Sequence, residues 1–280
     1  NIMGQSNLIE AAGDGDLDRV KAILGGEADP SVDNNINQRK PSDNSTALHA
    51  AAAEGFIEVV QYLLDEGADR YARDSIGFTP LHRAVQERHV DVAQAILSIP
   101  DAVESGSPNY LAKQQLVNAV NAFGVSSLHW ACVWNSDECV RLLVENGAVL
   151  NCQQSKGGQT PLHLACLHGS VECVKMILTL ASDRNALLEQ TDSKGRTATD
   201  HAETPELRNI LENFGSDATN LQASSSSSSS ASPSLFKQRT ISVSRGDDRR
   251  KTVARIHERD ETYYPTANQE RRRISLQIER

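Results

Sequence analysis

The sequence is poor in aromatic residues and cysteines, and it lacks a long apolar run. Aromatic residues make up 4% of its 280 residues and apolar residues 39%, which predicts that part of the chain lies outside a packed core. No run of about 18 apolar residues exists, so we expect no membrane span, and no signal-peptide pattern opens the sequence. The five cysteines, an odd number, do not form a secreted disulfide framework. We therefore expect an intracellular protein, cytoplasmic and/or nuclear.

Basic residues are scarce before Gly215. After it stand 12 Lys/Arg and 8 Asp/Glu, which leaves 16 basic and 29 acidic residues before it, a balance of −13. Residues 1–215, the body of the chain, are too acidic for us to expect nucleic-acid binding there. Residues 216–280, the tail, have a net charge of +4 and could bind it. The same imbalance favours a neutral or basic partner. One hypothesis is that the tail itself competes with that partner for the body.

A repeat of about 33 residues organises the body. Leu-His pairs place His49, His82, His129 and His163 at steps of 33, 47 and 34 residues. The clear units span residues 45–69, 78–97, 125–149 and 159–178, with a divergent first unit at 6–29 and a truncated last unit at 194–215. The step of 47 contains an insertion near 101–120, whose first half indicates a loop and whose second half an extra helical turn.

The residue pattern of each unit predicts two short antiparallel helices. Thr79 is suited to be an N-cap and Pro80 the first helical residue. Gly55 is suited to end a first helix in a left-handed conformation. No unit can bury its apolar face alone, so neighbouring units must stack.

The residues Thr-Pro-Leu-His-Arg-Ala at 79–84 and Thr-Pro-Leu-His-Leu-Ala at 160–165 carry a clear signature. With the period and the glycine positions, they make residues 6–215 resemble the ankyrin repeat family. The resemblance implies an all-α solenoid of four clear units and two degenerate end units, in a domain of residues 1–215. It also implies that the histidine of each Leu-His pair braces the turns of neighbouring units by hydrogen bonds. The departures are Ser126-Ser127, Asn135 and the insertion; Ser can still cap a helix and Asn tolerates a left-handed backbone.

A chemical function is the competing interpretation of residues 126–140, where His129, Cys132 and Cys139 lie close together. Cys166 and Cys173 repeat the two cysteines exactly one unit later, where the unit at 45–69 has Ala52 and Val59. A residue that exchanges with Ala and Val is a small buried hydrophobe. We therefore predict core packing and expect no metal, no cofactor and no catalysis.

Partner binding is expected on the concave side of the solenoid. The resemblance implies contacts through the residue before each capping Ser or Thr and the two residues that end each first helix. The sequence places apolar residues at several of these positions, led by Trp134 and Phe78, whereas Trp130 is expected between helices. The predicted protein-binding residues are Phe78, Gln86, Glu87, Phe123, Val125, Val133, Trp134, Leu167 and His168.

The tail has a different composition. Residues 216–236 are predicted to be a Ser-rich linker and 237–280 a disordered, Arg-rich tail. The segments RRRISL and RRKTV resemble substrates of basophilic protein kinases, with Ser275 and Thr252 as acceptors and Ser242 as a weaker candidate.

The predicted function is therefore a non-catalytic, monomeric adaptor that binds one protein in its concave groove and is regulated by a basophilic kinase. The alternative is the regulatory ankyrin region of a larger enzyme, such as a kinase, phosphatase or acyltransferase. The start at Asn1 rather than Met leaves that alternative open.

Overall fold

A computed structural model describes residues 7–26, 34–100 and 106–223, with side chains to residue 215. These ranges hold thirteen α-helices and no strand beyond two isolated bridges. The helices are α1 (Leu8–Gly13), α2 (Leu17–Leu24), α3 (Ala47–Glu54), α4 (Ile57–Asp65), α5 (Pro80–Gln86), α6 (Val90–Leu97), α7 (Pro108–Val117), α8 (Ser127–Val133), α9 (Asp137–Glu145), α10 (Pro161–Leu167), α11 (Val171–Leu180), α12 (Arg184–Glu189) and α13 (Pro205–Ala223).

Two layers of helices form the solenoid. The inner layer is α1, α3, α5, α8 and α10, each of which packs against the next. The outer layer is α2, α4, α6, α9 and α11, which stack in the same order. The predicted helix pairs and all-α repeat architecture are confirmed, and the first unit is a complete helix pair despite its divergent sequence.

Capping residues begin the inner helices where the sequence predicts. Thr79 and Thr160 are N-caps, and Pro80 and Pro161 follow them at a position that needs no amide donor. Ser126 caps α8 in the same extended conformation, so the lost Thr-Pro pair changes nothing in the fold.

The core lies between the layers. The leucines of the four Leu-His pairs are 0–1% exposed, and the outer helices add aliphatic residues such as Val59, Val92 and Ile177 at 0–1%. Burying one such side chain contributes about 1.5–3 kcal/mol, so stacking of units supplies the stability that a single short helix lacks.

The insertion contains a ten-residue helix rather than one extra turn. Ser107 caps α7 by accepting the Tyr110 amide at 3.1 Å, and Pro108 is its first residue. This Ser-Pro pair is a helix-start signal inside the half that was predicted to be loop. On its far side, Gln114 donates to the Asn146 carbonyl at 3.0 Å, which ties α7 to the end of α9.

The C-terminal end departs from the repeat. A 3-10 helix at Thr199–His201 replaces an inner helix, and α13 continues to Ala223, so it includes the first eight residues of the predicted linker. Residues 216–223 contain neither Gly nor Pro, so nothing in them stops the helix. The rest of the predicted linker and the Arg-rich tail lie outside the described residues.

Candidate protein-binding surface

Four buried histidines hold adjacent units together. In each, the Nδ1 atom accepts the backbone N–H of its own capping residue, at 3.1–3.3 Å. The Nε2–H donates to a carbonyl of the next turn, from His49 to Phe78 (3.0 Å), His82 to Val125 (3.2 Å), His129 to Gln159 (3.3 Å) and His163 to Arg196 (3.1 Å). The predicted brace is confirmed, and it fixes one neutral tautomer of the ring.

Burial keeps these rings neutral. It lowers the pKa of His82 to about 3 and that of His129 to about 4. The pKa values of His49 and His163 are also lowered by burial. A protonated ring would lose its Nδ1 acceptor, so the bracing function and the neutral state require each other.

The turns between units bond directly to one another. The Ser75 amide donates to the Asp43 carbonyl at 2.7 Å, and the Ala122 amide to the Ile76 carbonyl at 3.0 Å. The Ser155 amide donates to the Phe123 carbonyl at 2.8 Å, and the Ser193 amide donates to the Gly157 carbonyl at 3.0 Å. Each turn is therefore positioned by its neighbour as well as by a histidine.

Three of the predicted contact residues are buried, so the expectation that they face the partner is wrong for them. Phe78 is 2% exposed, Val125 1% and Val133 5%. Phe78 stacks on the His82 ring at 5.4 Å and meets the edge of Trp130 at 5.7 Å. The carbonyls of Phe78 and Val125 accept histidine braces, and the side chains of these two residues pack into the solenoid. Trp130 is buried as expected, at 5% exposure.

The other predicted residues do reach the surface. Leu167 is 40% exposed, Glu87 is exposed, and Gln86, Phe123, Trp134 and His168 are half-buried. Trp134 and His168 follow α8 and α10 as C-caps. Trp134 precedes Asn135, whose φ of 51° supplies the left-handed turn that Gly55 supplies at 83°. Arg88 takes the same conformation at 65°, a departure that the glycine pattern did not predict.

Several buried polar atoms have no hydrogen-bond partner within the described residues, and two of them lie at the C-terminal ends of inner helices. They are Gln86 Oε1 and Trp134 Nε1, and both are buried. A third such atom, Asn121 Nδ2, lies in the turn before α8. Leaving a buried donor or acceptor unpaired costs about 1–3 kcal/mol, so these side chains are not placed there for stability.

A charged pair joins turn and inner helix in the second clear unit but not in the third. Asp74 accepts Arg83 Nη2 at 2.6 Å with its Oδ2 atom, while its Oδ1 atom accepts the Ile76 and Phe78 amides. One unit later, Asn121 accepts the corresponding amides of Phe123 and Val125. Trp130 stands in place of Arg83, so the pair is absent there.

A cleft of about 520 Å³ opens between the first two inner helices and the first turn. Its lining contains three carboxylates and two cations, which are Glu10, Asp14, Asp43, Lys40 and Arg83. No repeat signature marks this cleft in the sequence, because Asp14 lies in the divergent first unit, where it caps the end of α1. Its signal is the position itself: Asp14 precedes the left-handed Gly15, as Glu54 precedes Gly55.

The cysteines lie in the core as small apolar residues. Cys132, Cys139, Cys166 and Cys173 are at most 1% exposed and unbonded to one another. Burial raises the pKa of Cys166 and of Cys173 to about 12 and that of Cys132 well above its usual value, so these thiols are neutral. Cys152, half-buried, donates to the Val149 carbonyl with its Sγ atom 3.2 Å away.

Within the described ranges, no three His, Cys, Asp or Glu side chains converge in a way that could hold a metal ion. Over the same ranges, no helix combines the length and apolarity that crossing a bilayer requires. Thr252, Ser275 and Ser242, the predicted phosphate acceptors, lie outside the described residues.

Comparison with known proteins finds ankyrin repeats. The family described as ankyrin repeats in three copies matches residues 8–104, and the family described as ankyrin repeats in many copies matches residues 128–178. Together they cover slightly more than half of the chain.

Similar curated proteins include Notch homologues. Human neurogenic locus notch homolog protein 2 is 35% identical over 130 residues, which are 39% of this chain and 5% of that protein. Xenopus laevis neurogenic locus notch homolog protein 1 is 33% identical over 141 residues, 43% of this chain and 6% of that protein. The chain thus spans about a twentieth of the length of these relatives.

Proposed function

Because the chain belongs to the ankyrin repeat family, whose repeats generally mediate protein–protein interactions, we propose that it is a non-catalytic adaptor. It binds one protein partner along the surface formed by the ends of the inner helices. The observation that carries this proposal is the exposure of apolar side chains there: Leu167 is 40% exposed and Trp134 half-buried, whereas the leucines of the Leu-His pairs in the same helices are 0–1% exposed.

The braced frame supports this function. Histidines and turn-to-turn bonds fix the backbone at each unit, so little conformational entropy is lost when a partner binds. Aromatic and aliphatic residues held in a rigid surface are typical of binding hot spots.

A matched pair of variants tests the proposal. Trp134→Ala combined with Leu167→Ala should weaken partner binding at least tenfold, since hot-spot truncations cost about 2 kcal/mol or more. Leu180→Ala combined with Tyr71→Ala removes side chains of comparable exposure, 37% and 38%, away from these helix ends and should leave binding unchanged. Partners are captured on wild type and on both variants and quantified by mass spectrometry, with thermal unfolding to verify the fold. Equal retention on all three proteins contradicts the proposal.

We propose that a basophilic kinase regulates the tail at Ser275 and Thr252, and more weakly at Ser242. Each phosphate adds about −1.5 to −2 charges, so two of them offset the tail balance of +4. Incubation with a basophilic kinase and ATP should label Ser275, and replacement of Arg272 and Arg273 by Ala should abolish that label. Phosphopeptide mapping that finds the label unchanged contradicts the assignment.

We also propose that the protein acts inside the cell, in the cytoplasm and/or nucleus, as a monomer. Five free cysteines support this compartment, because an oxidising environment favours paired ones. Fractionation and light scattering test the two statements separately.

A further inference from the structure

The inner helices end in two different kinds of residue. In five units one residue directly precedes the left-handed position. It is acidic in the first three units, Asp14, Glu54 and Glu87, and then becomes Trp134 and His168. These are equivalent places in a stacked array, so they form one row along the surface, acidic at one end and aromatic at the other.

Helix stability does not account for the acidic residues. The C-terminal end of a helix carries partial negative charge, so a carboxylate there is unfavourable. Glu54 is the last residue of α3, and Asp14 and Glu87 are the C-caps of α1 and α5. All three are exposed. The Asp14 carboxylate lies 3.6 Å from Nη1 of Arg19, which is long for an ion pair. Their common position therefore indicates a role towards a ligand.

The cleft extends the acidic end. Glu10 and Asp43 line it together with Asp14. Of its two cations, Arg83 is already paired with Asp74 at 2.6 Å, which leaves Lys40 facing three carboxylates. This end has the charge that attracts Lys and Arg side chains.

The other end has the character of an apolar anchor site with unused hydrogen bonds. Trp134 and the exposed Leu167 supply the apolar surface. Asn121, whose side chain replaces the charge of Asp74, is 5% exposed and its Nδ2 atom lacks a partner within the described residues, as do Trp134 Nε1 and Gln86 Oε1. Two donors and one acceptor are thus left without a partner near this end of the row.

We propose that this surface binds an extended protein segment of two parts, a cluster of Lys and Arg joined to an apolar anchor. The anchor contacts Trp134 and Leu167, and the basic residues contact Glu87, Glu54 and Asp14. Helices packed about 8–10 Å apart and an extended chain that advances about 3.3–3.6 Å per residue place the basic residues about three to nine positions from the anchor. This inference rests on the proposed function and specifies its partner class.

A displayed library of random peptides tests the partner class without assuming a sequence. It is selected on three proteins: wild type, the groove variant Asp14→Lys/Glu54→Lys/Glu87→Lys, and the outer variant Glu58→Lys/Asp65→Lys/Glu145→Lys. The outer variant carries the same change of charge on exposed residues of the outer helices. Wild type and outer variant should enrich peptides with Lys or Arg at the stated spacing from an apolar residue. The groove variant should lose that basic preference but keep the apolar one.

Affinities of an enriched peptide sharpen the result. The groove variant should bind at least tenfold more weakly than the outer variant at low salt, with the difference shrinking as salt screens it. Replacing the peptide's basic residues with Glu should restore binding to the groove variant.

The results that would overturn this inference differ from those that would overturn the proposed function. Enrichment of apolar peptides without basic residues, or of acidic ones, overturns this inference and leaves the adaptor function standing. Equal binding by the groove and outer variants also overturns it. A wild-type protein that enriches nothing counts against both this inference and the proposed binding surface.

Discussion

The two halves of the solenoid share one backbone frame and differ in the chemistry of their exposed side chains. In the N-terminal half, carboxylates end the inner helices and the Asp74–Arg83 pair joins turn to helix. In the C-terminal half, Asn121 and Trp130 stand in place of that pair, and Trp134 in place of a carboxylate. Buried cysteines also replace the Ala and Val of the first clear unit.

This difference separates two sets of residues within one repeat. The histidine brace, the capping residue and the left-handed position occur in both halves with the same geometry. Positions that point outward vary in charge and size from unit to unit. In the proposed function, the frame sets where a partner lies and the variable positions decide which partner binds.

Acid should weaken both halves together, because the brace is common to them. The unfolded chain binds protons on histidine below a pKa of about 6.5, whereas His82 and His129 stay neutral until about pH 3 and 4. The contribution of these histidines to the free energy of unfolding is therefore fully present above pH 6.5. It falls as the pH drops, by about 1.4 kcal/mol per pH unit for each such histidine. Urea denaturation at pH 7 and pH 5 should show a loss of several kcal/mol.

Replacing one brace at a time compares the halves. His82→Ala and His129→Ala should each cost about 2–4 kcal/mol at pH 7, since each leaves a buried amide and a carbonyl unpaired. Each should also flatten the pH dependence. If one variant unfolds much more easily than the other, the frame is not shared equally.

Exchanging the turn residues should have a smaller and asymmetric effect. Asp74→Asn keeps the bonds to the Ile76 and Phe78 amides and costs about 1–2 kcal/mol, because Arg83, 27% exposed, can return to water. Asn121→Asp should cost about 2–4 kcal/mol, because its carboxylate is buried without a cation.

Trp130→Arg in the Asn121→Asp background supplies the missing cation. A double-mutant cycle measured by urea denaturation should give a favourable coupling. A coupling of zero would mean that the two sites do not face each other as Asp74 and Arg83 do.

The cysteines should show the smallest effect. Cys139 occupies the position of Val59, so Cys139→Val should change the free energy of unfolding by less than about 1.5 kcal/mol. Cys139→Ser buries a hydroxyl and should cost about 1–3 kcal/mol. Thermal unfolding in reducing buffer measures both. Equal costs for Val and Ser would show that the site is not apolar.

Much of the fold could be predicted from local patterns. The period, the caps at Thr79 and Thr160 and the core cysteines follow from comparing the chain with itself. Ser107-Pro108 also signals the start of α7, in the half of the insertion whose pattern otherwise predicts a loop. The burial of Phe78 and Val125 could not be predicted, because it depends on how the next unit closes over each turn.

The repeat, its helices and the residues that brace it follow from the sequence alone, because capping, helix periodicity and small-residue positions act within one unit or between neighbours of fixed spacing. Only the tertiary structure decided which side chains remain exposed. It buries Phe78 and Val133, leaves Leu167 and part of Trp134 at the surface, and gathers Glu10, Asp14 and Asp43 around one cleft. Exposure depends on the stacking of whole units, and no single repeat contains that information.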